Sequence, residues 1–299
     1  MTHAGTNTTL SAWFQRATHK LADIKGASTS SLLAKPDYKP SSISSPFNVK
    51  SSSMTVQQAA ARAVAVFCGS STGNQPAFLH AANSLGKAMA EAGRPLVYGG
   101  GSAGIMGAVS GAVLEAGGDV TGVVPYAMVA AGGEVSQTQE NRRPPLMLKQ
   151  KGREKVRAGI PCIVVNSMHE RKAEMARSSC GFVGLPGGYG TFEEVLEVVC
   201  WSQVGIHSKP VLVVNVLNFW NPLRELVRNG IENGFINARN EALLQFVEGP
   251  ADLSEHESFD WGKATLEALD KWQGVQAGGF YDWTLRKEGK TEDDTLGAV

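Results

Sequence analysis

The sequence predicts an α/β protein built on a doubly wound parallel sheet with helices on both faces. Three observations carry this. Short, wholly apolar runs alternate with segments of helical periodicity. Glycine-rich turns sit where the runs end. The alternating stretch, residues 61–250, has the length of one domain. Continuous apolar runs are what a parallel sheet requires, because its crossover helices bury both faces of every strand.

Residues 62–67 (RAVAVF) read as the first strand, ending at Cys68-Gly69-Ser70-Ser71. Pro76 suits a first helical turn, and Phe78, Ala82, Leu85 and Met89 follow at helical spacing until Gly93. Residues 95–98 (PLVY) give a second strand, residues 99–101 a turn, residues 105–116 a helix stopped by Gly117-Gly118, and residues 120–124 (VTGVV) a third strand. The alternation resumes with a strand at 162–165, a helix at 169–177, a strand at 182–185, a helix from 192 to about 203 and a strand at 211–216. Asn221-Pro222 caps and opens the next helix, and residues 243–247 are either a last helix end or an edge strand. The pattern is Rossmann-like. Ligands of such open sheets bind outside the carboxyl ends of the strands, so the turns at 69–73, 99–104 and 187–190 are expected to face one crevice.

The 299 residues are 42% hydrophobic and 19% charged, with a formal net charge of zero. That composition supplies a sizeable core and argues against a protein that coats nucleic acid. No uncharged apolar run reaches the ~18 residues of a membrane span, so no membrane partner is expected. Cys68, Cys162, Cys180 and Cys200 form no CxxC pair and read as buried reduced thiols. His169-Glu170 lacks the second histidine of an HExxH helix, and neither a metal nor a cofactor is expected.

The flanks differ from the middle. Residues 1–60 carry six basic side chains against two acidic ones, and residues 28–53 hold ten serines with Pro36, Pro40 and Pro46. Such a segment reads as a flexible leader, with a short amphipathic helix at 10–21. Its basic, serine-rich composition also fits a mitochondrial targeting peptide, but a dispensable tail on a cytoplasmic protein is preferred. Residues 251–299 form an acidic C-terminal extension, in which Leu266, Leu269 and Trp272 share a helical face that packs on the domain or on a partner.

Two glycine turns could hold a phosphate. Gly99-Gly100-Gly101-Ser102-Ala103-Gly104 matches G-x-G-x-x-G, yet Asp119 precedes the third strand instead of following the second, which argues against a dinucleotide. A mononucleotide pocket wall and tight strand–helix packing both remain open. Pro186-Gly187-Gly188-Tyr189-Gly190-Thr191 is more specific: bare amides at a helix start attract an anion, and the absence of a P-loop lysine favours a monophosphate.

Glu194 stands three residues after Thr191. It is either the far end of a capping box or an acid reaching across the glycine loop toward a sugar. Glu193 and Glu197 fit an acidic first turn. Arg171 and Lys172, flanked by Glu170 and Glu174, form either a surface ion-pair cluster or a clamp on phosphate and ribose; a Schiff-base role for Lys172 would need more around it. The seven basic residues among 142–157 are a solvated loop or a steering patch for an anionic nucleotide. They lack the aromatics that stack single strands, so no nucleic-acid partner is expected.

Met168-His169-Glu170-Arg171-Lys172 followed by Pro186-Gly187-Gly188-Tyr189-Gly190-Thr191-Phe192-Glu193-Glu194 resembles the Lonely Guy family of cytokinin riboside 5′-monophosphate phosphoribohydrolases, formerly labelled lysine decarboxylases. Phe67-Cys68-Gly69-Ser70-Ser71, Tyr98-Gly99-Gly100-Gly101-Ser102-Ala103-Gly104 and Trp201-Ser202-Gln203-Val204-Gly205-Ile206-His207 add to the likeness, which covers roughly residues 62–248. Phe78 stands where many members have tyrosine, and Cys200 replaces a frequent threonine.

The resemblance implies hydrolysis of the N-glycosidic bond of an N6-substituted AMP to free base and ribose 5-phosphate. It implies catalysis by Arg171 and Glu194. Phosphate would be held by Gly187, Gly188, Tyr189, Gly190 and Thr191 with Lys172. Gly69, Ser70, Gly100 and Gly101 would line the substrate pocket, and Glu154 is the candidate for a further substrate-binding glutamate. A homodimer or higher homo-oligomer is implied as well. The alternatives are a non-catalytic nucleotide or cofactor carrier of the same fold, and an NAD-dependent enzyme.

Overall fold

Val64–Phe67 (β1), Leu96–Tyr98 (β2), Val120–Pro125 (β3), Leu148–Gln150 (β4), Arg153–Lys155 (β5), Pro161–Val165 (β6), Gly181–Gly184 (β7), Val211–Val214 (β8) and Gln245–Val247 (β9) form one sheet. Their spatial order is β4-β5-β6-β3-β2-β1-β7-β8-β9. The computed structural model describes residues 62–131, 148–150, 153–155, 160–274, 281–285 and 295–298. Every described residue belongs to one compact unit, Ser52–Val299. The leader with its expected helix, and most of the basic run at 142–157, lie outside the described residues.

From β6 to β9 all neighbours are parallel, while β4 and β5 add antiparallel pairs at one edge. The chain steps outward from β1 through β2 and β3 to β6, then returns to β7 on the other side of β1. The order therefore reverses between β1 and β7, and a doubly wound sheet opens its ligand crevice at that point.

Helices Pro76–Glu91 (α1), Gly104–Glu115 (α2), Tyr126–Ala130 (α3), Met168–Arg177 (α4), Tyr189–Val204 (α5), Asn221–Glu232 (α6) and Trp261–Asp270 (α7) complete the fold. Alternate residues of β1 serve opposite cores, as the two-residue period of a strand dictates. Val64 and Val66 pack with Leu85 and Met89 of α1, Val109 of α2 and Trp261 of α7. Ala65 and Phe67 pack with Met175 of α4 and Val195 and Val198 of α5.

The described part of the C-terminal extension packs on the domain. A Cβ on Gly262 would stand 2.3 Å from Ser84 O and 2.6 Å from the Ala88 Cβ, so α7 lies directly against α1. Leu269 is buried, and the Trp272 Nε1 donates to Ser208 O at 3.1 Å. Residues 245–247 resolve as an edge strand paired with β8. The β4–β5 hairpin and α3 had no clear sequence signal; charged edge strands lack the apolar run that betrays a central one.

Candidate active site

The loops after β1 and β7 meet at the switch point. Gly69 N donates to Pro186 O at 3.1 Å. Gly187 has no room for a side chain, since a Cβ would lie 2.1 Å from the Thr191 Oγ1 and 2.8 Å from Gly69 N. Together these loops line a cavity of about 310 Å³ with Phe78, Ile105 and Phe219, at the small end of the range for ligand sites. Gly69, Ser70, Gly187 and Gly188 are among its lining residues.

α5 begins at Tyr189, with Gly188 extended as its N-cap and no capping side chain. The amides of Tyr189, Gly190 and Thr191 precede the first intrahelical bond, from Phe192 N to Gly188 O at 3.0 Å, and so lack helical acceptors. Thr191 is buried inside the first turn. It is not an N-cap, so the capping-box reading of Glu194 fails. The Tyr189 side chain points outward, 92% exposed.

The glycine turn after β2 works differently. Ile105 N and Met106 N donate to Ser71 O and Gly69 O at 3.3 and 3.2 Å, spending the first amides of α2 on the loop after β1. Gly104, at φ +60°, abuts the Ser70–Ser71 peptide. The turn thus buttresses the cavity loop. Gly100 meets Val124 and Gly101 is buried, and neither lines the cavity.

α4 supplies the cations. Ser167 caps it by accepting from Glu170 N at 3.1 Å, and Glu170 Oε2 accepts from Asn166 N at 2.7 Å. Arg171 and Lys172 are both buried, so they are not a solvated surface cluster. The Arg171 Nε donates to Val123 O at 3.2 Å, and its Nη1 stands 3.4 Å from the Glu194 Oε1. Its Nη2 fills the space beside Gly99, 2.1 Å from where a Cβ would be. The pair keeps a thin solvent edge, with side chains 10% and 9% exposed.

Lys172 is held by Glu193 and by Glu197, the latter at 2.7 Å. Burial lowers its pKa, but hydrogen bonds and charge from the two glutamates outweigh that, so the pKa is raised. Its ammonium ties α4 to α5 beside the Arg171–Glu194 pair. Glu154 lies on β5, four strands from β1, and its side chain is outside the described residues. Among the described residues, no group of three His, Cys, Asp or Glu could hold a metal ion.

Sequence reasoning missed Gly99, whose bareness admits the guanidinium, and Phe219, which closes one side of the cavity. The glycine run marked the first only generically, and no local pattern marks the second.

A family model described as "Possible lysine decarboxylase" matches residues 106–256. A probable cytokinin riboside 5′-monophosphate phosphoribohydrolase of Oryza sativa subsp. japonica, LOG4, is 43% identical over 192 residues, covering 64% of this chain and 74% of its own length. A second rice protein of the same description, LOGL2, is 39% identical over 241 residues, covering 79% and 89%. The solved molybdenum cofactor carrier protein of Chlamydomonas reinhardtii aligns over 70% of this chain and 98% of its own at 22% identity and a TM-score of 0.43, too loosely to speak to function.

Proposed function

The chain belongs to the Lonely Guy family of cytokinin riboside 5′-monophosphate phosphoribohydrolases, and from that premise we propose that it hydrolyses the N-glycosidic bond of N6-substituted AMP to free base and ribose 5-phosphate. The observation that carries this reading is the buried Arg171–Glu194 pair at the carboxyl edge of the sheet; Glu194 lies in the second turn of α5, after the glycine loop, and Arg171 packs on Gly99, although neither side chain lines the cavity itself.

Breaking a ribosyl–base bond builds positive charge at C1′. A carboxylate there stabilises that charge and takes a proton from water. In the step proposed, the water oxygen bonds to C1′, the C1′–N bond breaks with its electron pair leaving on the base, and the water proton passes to Glu194; the base takes up one proton from solvent and Glu194 gives one back, so the products are the neutral free base and ribose 5-phosphate. Arg171 fixes the carboxylate's orientation, and the Val123 carbonyl fixes Arg171. The helix-start amides of Gly188, Tyr189, Gly190 and Thr191 hold the phosphate, so binding remote from the reacting bond serves catalysis. Lys172, already bound by two carboxylates, contributes by holding α4 and α5 together.

Incubation with AMP and with N6-isopentenyl-AMP tests the reading. Free base and ribose 5-phosphate are the expected products; nucleotide bound and returned intact would make the protein a carrier.

A homodimer or higher homo-oligomer is part of the proposal. Exposed Tyr189 and Leu196 on α5 and Met168 on α4 give apolar surface beside the site to support it. A monodisperse monomer in light scattering would refute it. Cys68 and Cys162 are buried, as expected, whereas Cys180 is half-buried and Cys200 is exposed on α5, so the expectation of four buried thiols fails for these two; no described helix is long and apolar enough to cross a membrane.

A further inference from the structure

Strand order ranks the site's parts along one edge of the sheet. The Arg171–Glu194 pair stands over β2 and β3, where Arg171 meets Gly99 and Val123. The glycine loops follow β1 and β7, and Phe219 follows β8. A nucleotide with its sugar at Glu194 and its phosphate in the loops therefore meets Phe219 next. Phe219 lies edge-on to Phe78, with ring centroids 6.0 Å apart at 78°, and both rings line the cavity.

The turn that presents Phe219 is strained and pinned. Leu217 and Asn218 are non-glycine residues at φ 50° and 59°, a left-handed region that side chains resist. Buried Asn215 accepts from Trp220 N at 2.9 Å through its Oδ1, and its Nδ2 donates to Asn221 and Glu248. From the C-terminal segment, fully buried His256 accepts from Leu217 N at 2.9 Å through Nδ1. Its Nε2 lies 2.9 Å from Pro250 O. A carbonyl only accepts, so Nε2 carries the proton and Nδ1 is the acceptor.

We propose that Phe219, backed by Phe78, is the end stop of the phosphate cradle that selects a nucleoside monophosphate over a diphosphate, and that His256 is the positioning residue that sets it. This rests on the nucleotide reading above. An aromatic ring beyond the first phosphate offers no donor to a second one and fills its place. The C-terminal segment thereby acquires a role in selectivity through one hydrogen bond to a strained amide.

The test measures AMP and ADP dissociation constants by calorimetry, with base release from each, on the full chain. Wild type favours AMP. Phe219→Ala loses about tenfold of that preference. His256→Gln, which lacks the acceptor toward Leu217, loses it likewise, whereas His256→Asn, whose amide oxygen stands near the place of Nδ1, retains it. Phe219→Ala combined with His256→Gln loses no more than Phe219→Ala alone, as residues acting in series require. Unchanged preference in Phe219→Ala, or a wild type indifferent to the second phosphate, overturns the end stop. Equal losses in His256→Asn and His256→Gln reduce His256 to a structural role. A wild type that binds neither nucleotide defeats the nucleotide reading itself, and the end stop with it.

Discussion

Arg171 and Glu194 come from different helices and meet at 3.4 Å, each nine-tenths buried, on the carboxyl side of the sheet. Burying two charges costs several kcal/mol per ion before their attraction is counted, on the order of what the pair returns. Such a pair is poor evidence of stabilisation. Its place over β2 and β3, one step from the switch point between β1 and β7, fits the catalytic positioning proposed above.

Gly99→Ala tests how tightly the guanidinium is placed. The new Cβ would stand 2.1 Å from the Arg171 Nη2, so the arginine must move. Displacement by about 1 Å costs on the order of 100-fold in rate. We expect kcat/KM to fall by about that factor while circular dichroism shows a folded protein; wild-type kinetics would show that the contact has no consequence.

Lys172→Met leaves Glu193 and Glu197 without their shared cation. Glu193 is half exposed, so the loss of stability should fall below the about 3–5 kcal/mol of a fully buried broken pair. The raised Lys172 pKa sets the pH window. Its contribution is fully present below the unfolded value of 10.5 and is lost as pH rises through the higher folded value. Urea unfolding of both proteins should show a constant gap from neutral pH to about 10 and a narrowing gap above it.

His207 gives the opposite dependence. Its ring packs on Phe182 with centroids 5.1 Å apart, and its Nδ1 accepts from Lys209 N at 3.1 Å. Burial, with the Lys209 charge second, lowers its pKa from 6.5 to about 4. Between those values the unfolded chain binds the extra proton, so stability falls as pH falls from 6.5 toward 4. The full drop is on the order of 3 kcal/mol. Against wild type, His207→Phe should be less sensitive over that window in denaturant titrations; parallel pH profiles would show that His207 does not carry the pH dependence.

The parallel sheet was legible because VAVF, LVY and VLVV are buried on both faces and therefore read as unbroken apolar runs. The charged hairpin of β4 and β5 offered no such run. Within the site, the glycine loop and the Arg-Lys pair were visible as local patterns. The partners of those residues were not. T-x-x-E spacing fits a capping box equally well, and only the start of α5 at Tyr189 removes that option. Likewise, nothing local distinguishes Gly99 from Gly100, because the guanidinium that needs the space belongs to a helix beyond four further strands. The strained turn at Leu217 and its tie to His256 depend on chain segments that meet only after folding.

The most direct measurement is base release from N6-isopentenyl-AMP by wild type and by Glu194→Gln, with calorimetric binding of the nucleotide as the control for an intact site. Wild type should release free base, and the variant should do so at a rate lower by at least about 100-fold despite retained binding. Turnover by the variant at the wild-type rate would contradict the catalytic role of Glu194.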